Sequence, residues 1–202
     1  MKMLITPTSP YARSARAVII EKGLVCAMAE VSPWDDSPEV LAANPLRKVP
    51  VLLTDDGAAI FDSRVICEYL DAQSEKSRLL PADMTARQAV KTREALVEGA
   101  MDAALMLVMT GRAASDMTPT DSWRQWLMGK AERALDLLEK DISGRAAAAP
   151  DMSDVACYCF LDFWLFRMPQ TKWADWRDSR PQLAAWFAKM GERECFTRTD
   201  PR

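Results

Sequence analysis

The pattern of hydrophobic residues divides the chain into a first part with both strand-like and helical patterns and a second part with helical patterns alone. Short apolar runs dominate the first part and predict strands over Lys2–Thr6, Val25–Val31, Val51–Thr54 and Ala58–Phe61. Helical spacing over Tyr11–Lys22, closed by Gly23, predicts a helix after the first strand, and a second helix follows Ser63. A polar stretch over Ser32–Glu39 precedes the later strands, and Asp56-Gly57 predicts the hairpin turn between the last two.

No strand signal returns after the polar segment Ser74–Pro81. Apolar residues at helical spacing predict four helices, over Ala86–Met109, Trp123–Ile142, Met152–Phe166 and Pro181–Met190. Asp151 and Asp154 form a variant capping motif for the third of them. We therefore predict an α/β plus all-α fold: a βαβ-ββα domain over residues 1–75, a linker over 76–83 and a helical bundle domain over 84–202.

Composition limits the classes of partner that the chain is expected to bind. The 202 residues, 49% apolar and 27% charged, can bury one large core or two modest ones. A net charge of -3 without a basic run argues against nucleic acid. No window reaches the about 18 consecutive apolar residues of a membrane span, and Met1–Ile5 is too short for a signal peptide. We expect no membrane partner and a cytoplasmic location.

The chain has no histidine, which excludes Ser-His or Cys-His nucleophile pairs and any histidine-containing metal site. We predict that it holds no metal. The five cysteines contain no C-x-x-C pair, and Cys157 and Cys159 point to different faces of a helix. We expect them to be reduced and mostly buried.

Val49-Pro50 lies immediately before the apolar run Val51–Leu53. Proline holds the preceding Val49 in an extended conformation. An extended valine at a turn can offer its N–H and C=O to a bound peptide, as if the peptide were an added strand. This interpretation needs Pro50 to redirect the chain, most easily as a cis proline; the alternative is a trans proline that opens an edge strand.

Two serines lie at predicted helix starts. At Ser63 the hydroxyl and the unpaired N–H groups of the first turn suit a carboxylate, and the adjacent Asp62 could hold an ammonium. Ser9 lies at the first strand-to-helix corner, before Pro10. Each is equally an ordinary helix-capping residue, and the residues alone leave both interpretations open.

Taken together, these segments resemble a glutathione S-transferase of the serine type, bacterial-like in character. The matching pieces follow the family's order over essentially the whole length: Thr8–Arg13, Glu21–Gly23, Asn44–Val51, Phe61–Leu70, Arg180-Pro181, Trp186 and Phe196. No single piece is specific for the family, whereas the whole set in this order is. Asp62, where the family more often has Glu, and Arg47, where many members have a small or neutral residue, depart from the pattern.

The resemblance implies a thioredoxin-like first domain that binds glutathione as co-substrate. Val49 would pair with the cysteinyl backbone, Asp62 and Ser63 would hold the γ-glutamyl end, and Lys48 would reach the glycine carboxylate. Pro50 would be cis. The full set of glutathione-binding residues implied in this way is Ser9, Tyr11, Arg13, Lys48, Val49, Pro50, Asp62 and Ser63.

The implied activity is that of a glutathione transferase, a homodimeric detoxification enzyme. The catalytic residue would be Ser9, whose hydroxyl would activate the thiol for attack on a small hydrophobic electrophile; Tyr11 is the competing hydroxyl. The second-substrate pocket would be lined by Tyr11, Met101, Leu105 and Met109, although core packing explains the same apolar stripe.

Three other functions stay open at this point. One is a glutathione-dependent peroxidase or dehalogenase on the same scaffold. Another is a non-catalytic binding or regulatory protein. The third is a cysteine-type reductase that uses Cys26 or Cys67.

Overall fold

A computed structural model describes residues 1–32, 37–76, 78–110, 120–142, 145, 149–168 and 175–202. The predicted polar stretch 32–39 and linker 76–83 therefore lie partly outside the described residues. The chain forms two compact units: Met1–Arg87 joined by Glu192–Arg202, and Gln88–Gly191. These bounds differ from those of the predicted domains because the C-terminal segment packs on the first unit, through contacts with its first helix.

Among the described residues, the first unit contains a four-stranded mixed sheet and four helices. In chain order its elements are β1 (Lys2–Ile5), α1 (Pro10–Lys22), β2 (Ala27–Glu30), α2 (Pro38–Ala43), β3 (Val51–Leu53), β4 (Ala59–Ile60), α3 (Ser63–Ala72) and, from the C-terminal segment, α8 (Glu194–Thr197). The strand order is β2-β1-β3-β4; β2 runs parallel to β1, whereas β3 is antiparallel to both of its neighbours.

Local signals set the limits of α1. Pro10 occupies the first turn, where its missing N–H costs nothing. Gly23 closes the helix at φ 65°, a left-handed conformation that glycine adopts without strain, and its N–H donates to the carbonyl of Ile20 over 3.0 Å. Between these ends the helix buries an apolar face, and Val18 is wholly inaccessible.

The second unit contains the remaining helices: most of α4 (Met84–Thr110), α5 (Asp121–Asp141), α6 (Met152–Arg167), a 3₁₀ turn (Trp176–Ser179) and α7 (Pro181–Gly191). Every residue of α6 from Met152 to Trp164 is buried. Apolar side chains all round a helix are typical of one that lies at the centre of a core. The predicted α/β plus all-α fold is confirmed.

The predicted capping motif of α6 is confirmed as a capping box. Asp151 accepts from the Asp154 N–H over 3.1 Å, and Asp154 accepts from the Asp151 N–H over 2.9 Å. Arg145 adds an ion pair to Asp154 at 2.8 Å. Two short helices, α2 and α8, were not predicted, because each is too short to show a helical period. None of the helices in the described ranges is both long and apolar enough to cross a membrane.

Candidate functional site

The register of the sheet brings three turns to one edge. Leu4 of β1 pairs with Val51 of β3, so the C-terminal end of β1 lies beside the start of β3. Leu52 of β3 pairs with Ile60, so the end of β4 lies at that same edge. The turns that follow β1, precede β3 and follow β4 therefore share one edge of the first unit, and they carry Ser9, Val49-Pro50 and Asp62-Ser63.

The width of this edge suits a short peptide. Neighbouring strands lie about 4.8 Å apart, so the ends of three adjacent strands span roughly 10 Å. Three residues of an extended chain also span about 10–11 Å. A tripeptide can therefore reach from the Ser9 corner across Val49-Pro50 to the start of α3.

Ser9 is the N-cap of α1, and its Oγ accepts from the Ala12 N–H over 3.3 Å. The side chain is partly exposed. A hydroxyl carries one O–H donor besides its two lone pairs, and the Ser9 Oγ donates to no acceptor among the residues that the structure describes. The cap and the proposed site role are therefore compatible: one lone pair caps the helix, and the O–H can be donated to a bound anion.

The Val49–Pro50 peptide bond is cis, as predicted from the resemblance. Pro50 is buried, Val49 is half-buried, and Lys48 is exposed at the edge. Lys48 and Val49 are therefore both open to a ligand on the solvent side.

Asn44 holds the loop that leads to Val49, and the sequence interpretation assigned it no role. Its side chain, 2% exposed, donates through Nδ2 to the Lys48 carbonyl at 3.0 Å and accepts at Oδ1 from the Leu46 N–H at 3.0 Å. In addition its carbonyl accepts from the N–H of Arg47, which has the left-handed φ of 54°. The signal in the sequence was an Asn-Pro pair before a strand, a turn pattern that does not say where the amide points.

The start of α3 separates the roles of Asp62 and Ser63. Asp62 is the N-cap: its Oδ1 accepts from the Arg64 N–H over 3.1 Å, and its Oδ2 lies 3.4 Å from the Arg64 guanidinium. Ser63 is the first helical residue, is 5% exposed, and makes no side-chain hydrogen bond within the described ranges. The capping interpretation thus applies to Asp62, and the Ser63 hydroxyl stays available to a ligand.

Arg13 is buried and bonded inside the first unit, which disfavours its predicted role in binding glutathione. Its side chain is 3% exposed and donates to the Phe196 carbonyl at 3.2 Å and to the Thr199 hydroxyl at 3.3 Å. The guanidinium therefore donates its hydrogen bonds to acceptors inside the first unit. Tyr11 is partly exposed in the first turn of α1.

The predicted second-substrate residues on α4 differ in burial. Met101 is fully buried, as a core residue would be, whereas Leu105 and Met109 are partly exposed. Their role in a pocket stays a prediction.

The cysteines are poorly suited to nucleophilic chemistry. Cys67 is 3% exposed. Burial raises the pKa of the half-buried Cys26 thiol, although the nearby N-terminal ammonium acts in the opposite direction. A raised pKa leaves less thiolate, the reactive form. Within the described ranges, no group of three or more His, Cys, Asp or Glu side chains could hold a metal ion.

Comparison with known proteins agrees with this geometry. The family description "Glutathione S-transferase, N-terminal domain" matches residues 8–73, and "Glutathione S-transferase, C-terminal domain" matches residues 92–189. The uncharacterized GST-like protein YibF of Escherichia coli (strain K12) is 31% identical over 204 residues, covering 100% of this chain and 98% of the relative. The chain therefore belongs to the glutathione S-transferase family.

Two similar crystal structures contain glutathione. A glutathione S-transferase from Methylobacillus flagellatus KT with GSH bound is 37% identical, with a TM-score of 0.92 over 100% of this chain and 99% of that chain. A glutathione transferase family member from Pseudomonas fluorescens Pf-5 with bound glutathione is 31% identical, with a TM-score of 0.89 over 100% and 98%. The thioredoxin-like first domain and helical second domain are thereby confirmed.

Proposed function

We propose that this protein is a glutathione transferase that binds glutathione along the sheet edge formed by the ends of β1, β3 and β4. The observation that carries this proposal is the strand register, which brings Ser9, Val49-Pro50 and Asp62-Ser63 to that one edge. Glutathione bound in two similar crystal structures supports the choice of ligand.

Each part of the tripeptide has a matching group. The γ-glutamyl carboxylate accepts from the Ser63 hydroxyl and the N–H groups at the start of α3, where the helix dipole favours a negative charge. The cysteinyl backbone pairs with Val49, and the exposed Lys48 ammonium neutralises the glycine carboxylate. The γ-glutamyl ammonium lies near Asp62, whose carboxylate is already bonded to Arg64, so this contact is the weakest of the four.

The sulfur lies at the Ser9 corner, and Ser9 activates it. A free thiol with a pKa near about 8.5 is only a few per cent ionised at pH 7. Lowering that pKa by about two units requires roughly 2.7 kcal/mol of preferential stabilisation of the thiolate. A hydrogen bond to a charged group contributes about 1.5–3 kcal/mol. One O–H from Ser9, aided by the start of α1, is therefore sufficient, and no general base is needed.

Once its proton has passed to solvent, the bound thiolate attacks the electrophilic carbon of a small hydrophobic substrate and forms a sulfur–carbon bond. An aryl halide then releases its halide ion, whereas an epoxide opens at its C–O bond and an enone is converted to the adduct, each with a proton taken up from water. The working form is a homodimer in the cytoplasm. Burial of Cys67 and the raised pKa of Cys26 disfavour a cysteine-type reductase.

Calorimetry with glutathione, followed by turnover on a panel of electrophiles, tests the proposal. Saturable binding and conjugation of at least one aryl halide, epoxide or enone are expected. Turnover on peroxides or haloalkanes alone would assign the peroxidase or dehalogenase alternative. Binding without turnover would identify a non-catalytic binding protein, and no binding at millimolar glutathione would refute the proposal.

A further inference from the structure

The C-terminal segment 192–202 lies along α1, far from it in sequence. At the far end of the helix, Arg193 forms an ion pair with Glu21. At the near end, Arg13 reaches the Phe196 carbonyl and the Thr199 hydroxyl. The segment is therefore attached to α1 at both ends, and the two attachments can be broken separately.

The near attachment, which we call the Arg13–Thr199 contact, is buried. Arg13 is 3% exposed, and Thr199 and Phe196 are each 1% exposed. The Thr199 hydroxyl donates to the Cys195 carbonyl over 2.7 Å, so its lone pair faces the Arg13 Nε at 3.3 Å. Because a buried guanidinium that loses an acceptor is costly, this arrangement resists displacement.

Arg13 is also one helical turn from the Ser9 corner. Its N–H donates to the Ser9 carbonyl at 3.0 Å, which closes the first turn of α1. The backbone of that residue thus fixes Ser9, while its side chain is fixed by the C-terminal segment. One residue therefore bonds both to the backbone of Ser9 and to the C-terminal segment.

We propose that the C-terminal segment positions the Ser9 corner, with Arg13 and Thr199 as positioning residues that act through the first turn of α1. This inference rests on the proposed function for its catalytic meaning. It assigns the segment a role in thiol activation without any contact to glutathione. The strength of a hydrogen bond to a thiolate depends steeply on the position of its donor. A more mobile first turn of α1 should therefore weaken the stabilisation of the thiolate by Ser9 more than it weakens the affinity for glutathione.

Thr199→Val tests this with little change in volume, because it removes the hydroxyl and leaves the Arg13 Nε without that acceptor. Thr199→Ser, which keeps the hydroxyl, is the conservative variant. Arg13→Lys is a second route, because a single ammonium cannot supply both donors in the geometry of a guanidinium. Arg193→Gln breaks the attachment at the other end of α1 and is the matched control.

The readouts are the pH midpoint of the enzyme-bound thiolate, from its ultraviolet absorbance, and amide hydrogen exchange in the first turn of α1. With Thr199→Val and Arg13→Lys, the midpoint should rise toward the free value and turnover at acidic pH should fall about ten-fold at unchanged pH-independent turnover. Exchange at Ala12 should accelerate in parallel. Thr199→Ser should leave the midpoint and the exchange rate at their wild-type values. Arg193→Gln should lower the unfolding temperature without moving the midpoint.

Equal midpoints in wild type, Thr199→Val and Arg13→Lys would overturn the positioning role, as would an Arg193→Gln midpoint that moves as far as theirs. The amide exchange needs no ligand and separates this inference from the proposed function. Should wild type bind no glutathione, the proposed function fails. Faster exchange confined to the first turn would then still support positioning of the Ser9 corner, and unchanged exchange would refute it.

Discussion

Replacing Ser63 by alanine should weaken glutathione binding and leave the fold almost unchanged. The Ser63 side chain is 5% exposed, and its hydroxyl makes no hydrogen bond within the described residues. The N-cap of α3 is Asp62, whose carboxylate accepts from the Arg64 N–H, so the helix start does not depend on Ser63. Alanine is also a better helix former than serine.

The expected loss of glutathione affinity follows from the negative charge of the carboxylate that Ser63 is proposed to bind. A hydrogen bond to a carboxylate contributes about 1.5–3 kcal/mol, so Ser63→Ala should raise the Kd for glutathione about ten- to hundred-fold. The free energy of unfolding should change by less than about 0.5 kcal/mol, as at a site without a broken contact.

Titration calorimetry measures the affinity, and urea denaturation measures the stability. Ser14→Ala is a burial-matched control: Ser14 is also 5% exposed, and its hydroxyl donates to the Pro10 carbonyl at 3.2 Å. That variant should lose stability and keep its affinity. An unchanged Kd in Ser63→Ala would remove Ser63 from the site, and a large loss of stability would show that its role is structural.

Three further predictions concern stability and assembly. Asp151→Ala removes the cap of α6 together with its ion pair to Arg145, and urea denaturation should show a loss of at least about 1 kcal/mol, whereas a loss near zero would contradict the capping account. Lys22→Met leaves the buried Asp71 carboxylate without the ammonium 3.0 Å away, so about 3–5 kcal/mol should be lost; a variant as stable as wild type would refute the pairing. Light scattering should give about twice 22.6 kDa, and a monomer at micromolar concentration would argue against the dimer.

The helices and strands with a clear hydrophobic period were predictable from the sequence. The helices α4 to α7 fall within two residues of their predicted ends wherever a cap, a glycine or a proline marks the boundary. The hairpin turn at Gly57, at φ 87°, followed from Asp-Gly between two apolar runs. The short helix α2 could not be predicted, because six residues hold fewer than two turns of pattern.

Burial explains what the sequence missed at the site. The resemblance implied that Arg13 binds glutathione, yet its side chain is directed to the C-terminal segment. Asn44 received no role, although its amide holds the loop before Val49. Both side chains are partnered across the fold, and a pattern along the chain carries no information about such partners. Capping was one of two interpretations left open at each helix start, and the structure shows Ser9 and Asp62 as the caps, because caps depend on near neighbours.

The central claim is that the Ser9 hydroxyl stabilises the thiolate of bound glutathione. Its most direct test is the ultraviolet absorbance of the thiolate, titrated against pH in wild type and in Ser9→Gly. Glycine removes the hydroxyl but is itself a fair N-cap, so α1 should lose only a few tenths of a kcal/mol.

In wild type the pKa of the bound thiol should lie about two units below the free value of about 8.5, and in Ser9→Gly it should return by at least one unit at nearly unchanged affinity. A wild-type midpoint at the free value would contradict thiol activation altogether. A lowered midpoint that Ser9→Gly leaves in place would assign the activation to Tyr11 or to the backbone N–H groups of α1.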